Sequence, residues 1–322
     1  MKAIVSEKYG TPDTLKLSEV ATPEPKENQV LVRVHAASIN YGNLVLLTGK
    51  PLLARLAFGL TKPKYPIPGG DMAGIVEVVG ANVTQFQVGD EVYGDLSSSS
   101  WGAFAEYVVA DEGALALKPS NLSFTEAAAV PMAATTALQA IRDKGRPMAG
   151  QDVLIHGASG GVGTFAVQIA KAFGAKVTAL VSTRNVDIAR SLGADNTIDY
   201  KKDDFEKLDD TYDLIIGVNG ARPITSYKRK LKENGVFVQV GGESSQMFQT
   251  MMQVTWLSMT GKKKFVIFMQ KANQNDLVIM KELIEEGKVK PVIDRSYSLN
   301  EVPEAIQYFE KGHSQGKVVI TM

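Results

Sequence analysis

The 322-residue chain contains no cysteine. That absence excludes disulfides, thiolate metal ligands and a cysteine nucleophile. Histidine is scarce: His35, His156 and His313 are the only three, and they stand far apart in sequence. Zinc takes imidazole or thiolate ligands at defined spacings, so no metal site is expected. Net charge is missing too, with Lys plus Arg and Asp plus Glu at 35 each. Nothing global therefore points to nucleic acid or to an anionic membrane. No apolar run approaches the roughly 20 residues of a membrane span. The start Met1–Glu7 turns polar too soon for a signal peptide. The expectation is a cytoplasmic protein of about two domains.

What is present centres on one stretch. Asp152 to His156 has strand character and runs into the glycine-rich turn Gly157-Ala158-Ser159-Gly160-Gly161-Val162-Gly163. Val162, Phe165, Ala166, Ile169, Ala170 and Phe173 then share one helical face. Strand, glycine turn and helix N-terminus together make an anion site, because free N–H groups and the helix dipole favour a pyrophosphate. The spacing is G-x-x-G-x-x-G (Gly157, Gly160, Gly163) rather than G-x-G-x-x-G. We read it as a dinucleotide-binding loop, with contacts expected from Gly157, Ser159, Gly160, Gly161 and Val162.

Before this loop the chain reads as short strands between Gly, Asp and Pro turns, the pattern of a small antiparallel barrel. Val30–His35 is one such strand, and His35 at its end is expected to be structural. Leu52–Leu60 is a compact apolar segment between prolines. It is either a packing helix or a hydrophobic lid. From about Thr125 helices and strands alternate: helices at Thr125–Val130, Ala133–Ile141, Val186–Leu192 and Arg222–Glu233, and strands at Lys176–Val181, Thr197–Tyr200, Asp213–Val218, Val236–Val240 and Lys264–Phe268. Alternation of this kind predicts an α/β fold with a doubly wound parallel sheet. The tail predicts helices capped by Asn273 and Asn300 and a closing strand Lys317–Ile320. Residues 125–269 are thus read as a dinucleotide domain inserted in a barrel-like domain built from 1–124 and 270–322.

Ser38-Ile39-Asn40-Tyr41, Pro68-Gly69-Gly70-Asp71-Met72-Ala73-Gly74, Val88-Gly89-Asp90-Glu91-Val92-Tyr93-Gly94, Gly102-Ala103-Phe104-Ala105-Glu106-Tyr107, Gly157 to Gly163, Leu192-Gly193-Ala194-Asp195 and Gly316-Lys317-Val318-Val319 occur in this order. With these motifs the chain resembles the medium-chain dehydrogenase/reductase superfamily along nearly its whole length. Within it the chain is similar to the zinc-free quinone oxidoreductase and enoyl-reductase branch. The resemblance implies a Rossmann sheet inserted in a GroES-like catalytic barrel. It also carries departures. Zinc alcohol dehydrogenases of this superfamily have Cys at the Asn40 position, a hydroxyl residue at Gly42, Asp at Asn43 and a His-Glu pair at Gly70-Asp71. Without Zn²⁺ there is no Lewis acid to polarise an alcohol. Conjugated substrates that delocalise charge onto a carbonyl oxygen are favoured instead.

An NAD site usually places an acid at the tip of the second strand, about 20 residues past the glycines. Here that tip is Ser182-Thr183-Arg184, which offers hydroxyls and positive charge to a 2′-phosphate. NADPH (NADP) is the expected cofactor. By resemblance Tyr200 also approaches the 2′-phosphate, and Thr136 meets the carboxamide. Val218 and Asn219 border the adenosine-side ribose, Val240, Gly241 and Gly242 lie near the nicotinamide, and Gly316 and Lys317 close over the cofactor from the tail. The resemblance also places Asn40 and Tyr41 at the catalytic centre. Tyr41 is a candidate donor to the developing oxyanion or of the proton, with solvent as the other proton source. The predicted activity is NADPH-dependent reduction of a hydrophobic quinone or α,β-unsaturated carbonyl. The alternatives are an NADPH-binding structural or regulatory protein and a zinc-type alcohol dehydrogenase. The apolar strand Lys264–Phe268 predicts a sheet edge that pairs with a second copy in a homodimer.

Overall fold

The computed structural model describes residues 1–218, 222–241 and 262–322. The chain packs as two units. The first comprises Met1–Thr135, Lys271–Gly287 and Pro291–Met322; the second comprises Thr136–Gln270 and Lys288–Lys290. The first unit runs past residue 124 because the helix Phe124–Ala128 packs on the barrel strands Gln29–Ser38 and Asp71–Val79. Ser123 starts that helix, its Oγ accepting from the Glu126 N–H while the Glu126 carboxylate accepts from the Ser123 N–H.

The first unit is organised on the ten-residue strand Gln29–Ser38. One edge pairs antiparallel with Asp71–Val79. The other edge is divided: residues 29–33 pair with Tyr107–Asp111, and residues 36–38 pair with the closing strand Lys317–Thr321. Strands Glu91–Asp95 and Leu115–Leu117 extend the sheet beyond Asp71–Val79, and Ile293–Ser298 flanks the closing strand. Side chains of these strands, among them Val30, Val32, Val34, Met72, Val76, Val92, Val318 and Ile320, form one apolar core with Phe104 and the helix Val302–Glu310. Each such side chain contributes about 1.5–3 kcal/mol through burial. The pairing brings the chain's last strand beside Ser38–Asn40, and this contact sets up the polar cluster described below.

Two expectations are corrected in this unit. His35 does not end its strand. The register with Asp71–Val79 shifts between Val34 and Ala36, so His35 sits at a bulge and stacks on Phe124, ring centroids 4.3 Å apart. Burial lowers its pKa. Asn300 is not the cap of the last helix: Ser298 caps a 3₁₀ turn, Leu299–Glu301, with Glu301 bonding back to the Ser298 N–H, and the helix follows from Val302. Asn273 does cap its helix, Gln274–Glu285, accepting from the Asp276 N–H.

The second unit holds a six-stranded parallel sheet in the order Asn196–Asp199, Lys176–Val181, Asp152–His156, Tyr212–Gly217, Leu231–Gln239, Lys264–Ile267. In chain order of these strands the arrangement is 3-2-1-4-5-6, the dinucleotide-binding order. Leu154, Leu180, Ile215, Tyr227, Phe237 and Phe265 belong to its core. The helix read as Arg222–Glu233 is shorter, Ile224–Lys230, and the next strand begins at once at Leu231. The strand read from Val236 therefore starts earlier, because Tyr212 already pairs with Leu231. Residues 288–290 join this unit through Gln168, whose amide donates to the Lys290 carbonyl and accepts from the Lys290 N–H, both at 2.9 Å.

Candidate cofactor and active-site residues

The glycine loop follows directly from the first strand of the parallel sheet. His156 ends that strand, and Gly157 turns the chain at φ +82°. Gly160 is the N-cap of the helix Gly161–Ala172, and the Thr164 N–H makes the first helical bond, to the Gly160 carbonyl at 2.9 Å. The N–H groups of Gly161, Val162 and Gly163 precede that bond and have no intrahelical acceptor, so they are the anion-facing donors of the helix N-terminus. Gly163 is fixed by space: a Cβ there would stand 2.0 Å from the Gly157 carbonyl oxygen. Beneath the loop His156 is buried, and its Nδ1 lies 2.6 Å from the Tyr227 hydroxyl. Burial pushes its pKa down to about 4, so the ring is neutral at pH 7.

The tip of the second strand lies beside this loop. Asn185 donates from Nδ2 to Ser159 Oγ at 2.8 Å and to Ser182 Oγ at 3.1 Å. This one amide ties the glycine loop to the segment expected to meet the 2′-phosphate. Ser182 is buried, while Thr183, Arg184 and Tyr200 are exposed. Sequence reading missed Asn185 and also Asp199. Asp199 pairs with Val181 in the parallel register, and the Thr183 side chain hydrogen bonds to it and lowers its pKa. The Lys202 ammonium stands 3.9 Å from its Oδ2. The rim thus combines one carboxylate with Lys201, Lys202 and Arg184. Parallel register was the missing signal, since it places the end of the third strand beside the end of the second.

At the ends of the fourth and fifth strands the Val218 N–H donates to the His156 carbonyl at 3.0 Å, and the Val240 N–H donates to the Gly217 carbonyl at 2.9 Å. Gly241 is close-packed: a Cβ there would lie 2.7 Å from the Val218 carbonyl oxygen. These contacts set the strand tips level with the glycine loop. Thr136 is buried on the helix Pro131–Gln139. Asn219 and Gly242 lie outside the described residues.

In the first unit Asn40, one of the two candidate catalytic residues, belongs to a buried polar cluster. Asn40 ends the strand Gln29–Ser38 region and caps the helix Tyr41–Thr48. Its N–H donates to Asn43 Oδ1 at 2.7 Å. Its Nδ2 donates to Asp71 Oδ2 at 2.7 Å, and its Oδ1 accepts from Lys317 Nζ. Lys317 Nζ also donates to the Ile39 carbonyl at 3.1 Å and lies 3.4 Å from Asp71 Oδ2. Asp71 accepts further from Ser38 Oγ at 3.0 Å and from the Met132 N–H at 3.1 Å. Burial pushes the Lys317 pKa down, and the Asp71 carboxylate opposes that shift.

The three N–H bonds of Lys317 are directed at Ile39, Asn40 and Asp71, so its ammonium is engaged within this cluster and clamps the Asn40 amide. Gly316 serves the same turn: at φ +103°, a Cβ there would meet the Val292 carbonyl oxygen at 2.3 Å. Asn40 is clamped at both amide atoms, which fixes its amide orientation and leaves one Nδ2 hydrogen to donate. Tyr41, at the first turn of the helix, is 56% exposed, so its hydroxyl remains available as a donor. Sequence reading named Asn40 and missed Ser38 and Asp71 as its partners.

The positions where the resemblance puts the Cys, the hydroxyl residue and the His-Glu pair of zinc alcohol dehydrogenases carry Asn40, Gly42 and Gly70-Asp71 here. Asn40 and Asp71 serve the cluster above. Gly42 and Gly70 face the Trp101 indole: a Cβ at Gly42 would stand 3.0 Å from its Cη2, and one at Gly70 3.5 Å from its Cζ3. Among the described residues no group of three or more His, Cys, Asp or Glu is arranged to hold a metal ion. Nor is any described helix long and apolar enough to cross a membrane.

A fold of this kind and a site with these residues define a nucleotide-linked dehydrogenase or reductase. Residues 26–120 match the alcohol dehydrogenase GroES-like domain, and residues 192–320 match the zinc-binding dehydrogenase family. The 2-methylene-furan-3-one reductase of Solanum lycopersicum is 38% identical over 99% of this chain and 79% of that protein. The NADPH-dependent alkenal/one oxidoreductase of Arabidopsis thaliana is 36% identical over the same shares. The solved structure of the quinone oxidoreductase from Coxiella burnetii is 32% identical and superposes with a TM-score of 0.88, covering 100% of this chain and 99% of that one. The chain belongs to the medium-chain dehydrogenase/reductase superfamily of oxidoreductases, among quinone oxidoreductases and enone reductases.

Proposed function

We propose that this protein is a zinc-independent, NADPH-dependent oxidoreductase that reduces a quinone or an α,β-unsaturated carbonyl. The observation that carries the reading is the Lys317–Asn40–Asp71 cluster, in which a fixed carboxamide and buried charges stand where zinc-dependent relatives coordinate a metal. The donor set does not fit Zn²⁺, which takes thiolate, imidazole or carboxylate ligands: residues 42 and 70 have no side chains, and the indole of Trp101 fills the space beside them. The relatives named as enone, alkenal and quinone reductases support the same class of substrate.

When bound, NADPH would supply a hydride to the electrophilic carbon of the substrate. The residues of the glycine loop would hold its pyrophosphate, and Ser182, Thr183, Arg184 and Tyr200 its 2′-phosphate. As charge develops on the substrate oxygen, the remaining Nδ2–H of Asn40 and the hydroxyl of Tyr41 are the donors offered to it. Lys317 polarises the Asn40 carbonyl and so strengthens that Nδ2–H donor. Asp71 fixes its direction. Tyr41 or solvent returns the proton.

Arg184 tests the cofactor half of this reading. Arg184→Ala should lower the ratio of kcat/KM for NADPH over NADH by about tenfold or more, since a charge-assisted contact to a 2′-phosphate is worth about 1.5–3 kcal/mol. A wild-type preference for NADH would contradict it. We also propose a cytoplasmic homodimer. The strand Lys264–Ile267 lies at the edge of the sheet among the described residues, and an open edge invites pairing. Light scattering should give two 34.7 kDa chains; a monomer at working concentration would contradict the edge-pairing proposal.

A further inference from the structure

We propose that Asn185 is a positioning residue for NADPH: its amide leaves the hydroxyl protons of Ser159 and Ser182 for the cofactor, one for the pyrophosphate and one for the 2′-phosphate. The proposal rests on the reading of the glycine loop and the second-strand tip as the dinucleotide site. An amide NH₂ carries two hydrogens, and a hydroxyl carries one. Asn185 Nδ2 stands 2.8 Å from Ser159 Oγ and 3.1 Å from Ser182 Oγ, so each serine oxygen takes one of the two hydrogens. A hydroxyl that accepts from the amide cannot donate back along the same line. Its own proton points elsewhere, and among the described residues neither serine hydroxyl donates to an acceptor. Aspartate at this position would do the reverse, because a carboxylate only accepts and would draw both protons inward.

Both serines stand where an anion would meet those protons. Ser159 is half-buried in the glycine loop, directly before the N-cap Gly160 and the helix N–H groups that have no intrahelical acceptor. Ser182 follows the strand Lys176–Val181 at its carboxyl end, the side on which open parallel sheets bind ligands. The exposed Thr183 and Arg184 come next. Asn185 itself is only 4% exposed, so it acts through the two serines. Its place is fixed from behind. Its N–H donates to the Ser182 carbonyl at 2.8 Å, and it closes the 3₁₀ turn Thr183–Asn185 that leads into the helix Val186–Ser191. The Thr183 hydroxyl gives its proton to the Asp199 carboxylate instead, so its direction does not depend on Asn185. One buried amide therefore sets two of the donors offered to the cofactor, and only the Ser182 donor distinguishes NADPH from NADH.

The experiment measures Kd for NADPH and for NADH by calorimetry. It uses the full-length wild type, Asn185→Ala, Ser159→Ala, Ser182→Ala and the two double variants that combine Asn185→Ala with each serine change. Asn185→Ala should lower the preference for NADPH over NADH by about fivefold, because the Ser182 donor to a charged phosphate loses its direction. In the Ser182→Ala background the same change should move that preference less than about twofold. With NADH as ligand, Asn185→Ala should weaken binding severalfold in the wild type, but less than about twofold in the Ser159→Ala background. A merely structural tie would weaken both cofactors alike and add in full to either serine variant, and that result would overturn the positioning role. Thermal melting and circular dichroism confirm that each variant is folded. If Asn185→Ala is not, Asn185→Ser takes its place, since its single hydroxyl proton cannot serve both serines. A wild type that prefers NADH, with the Ser159 cycle still non-additive, would sink the NADPH reading and uphold the role of Asn185.

Discussion

Lys317→Met is expected to destabilise the protein by about 3–5 kcal/mol, and to lower kcat at least tenfold in the fraction that folds. The physical reason is the asymmetry of buried ion pairs. With Lys317 present, Asp71 has an ammonium 3.4 Å away and donors from Ser38, Asn40 and the Met132 N–H. Without it, a carboxylate with no exposure keeps its hydrogen bonds but loses the one cation that touches it among the described residues. The Asn40 carbonyl loses its donor at the same time, and the amide is free to turn. Denaturant unfolding measures the first effect, and steady-state kinetics the second, with KM for NADPH expected to change less than threefold. The double variant Lys317→Met with Asp71→Asn separates the causes. It removes the buried charge, so it should recover most of the stability but not the kcat. Wild-type stability and kcat in Lys317→Met would contradict the positioning role.

Gly163→Ala is expected to weaken NADPH binding at least tenfold and to destabilise the second unit by about 2 kcal/mol. The added Cβ would lie 2.0 Å from the Gly157 carbonyl oxygen and 2.7 Å from Ala158 Cα. Both obstacles are backbone, so no side chain can swing aside. The loop must lift from the helix N-terminus, and the N–H groups of Gly161 and Val162 then lose their common direction. Calorimetric titration with NADPH checks the affinity. An unchanged Kd would mean that the loop does not hold the pyrophosphate.

Gly160→Ala is the internal contrast to that variant, because a Cβ there meets only the Gly157 carbonyl oxygen at 3.8 Å. The difference between these two glycines was not legible in the sequence, where they look alike. What was legible came from local pattern. The strand, turn and helix around Gly157 carry their own periodicity and dihedral demands, and the alternation after Thr125 forces a parallel sheet. Residues whose role depends on distant pairing were not legible. Lys317 meets Asn40 across 277 positions, because the closing strand pairs with residues 36–38. Asp199 meets Thr183 only through parallel register. Trp101 follows the polar run Ser97–Ser100, and nothing local signals that its indole is buried. The helix Ile224–Lys230 was drawn too long because Leu231 to Glu233 suit a helix, and pairing with Tyr212 pulls Leu231 into a strand.

The measurement that bears most directly on the central claim is NADPH oxidation by the purified, metal-analysed protein. Initial rates are followed against a panel of quinones, enones and enoyl thioesters, with and without a strong chelator. The account predicts turnover of at least one quinone or enone, faster with NADPH than NADH, with zinc well below one atom per chain and no loss on chelation. Stoichiometric zinc whose removal abolishes activity would contradict it, and so would tight NADPH binding with no turnover across the panel.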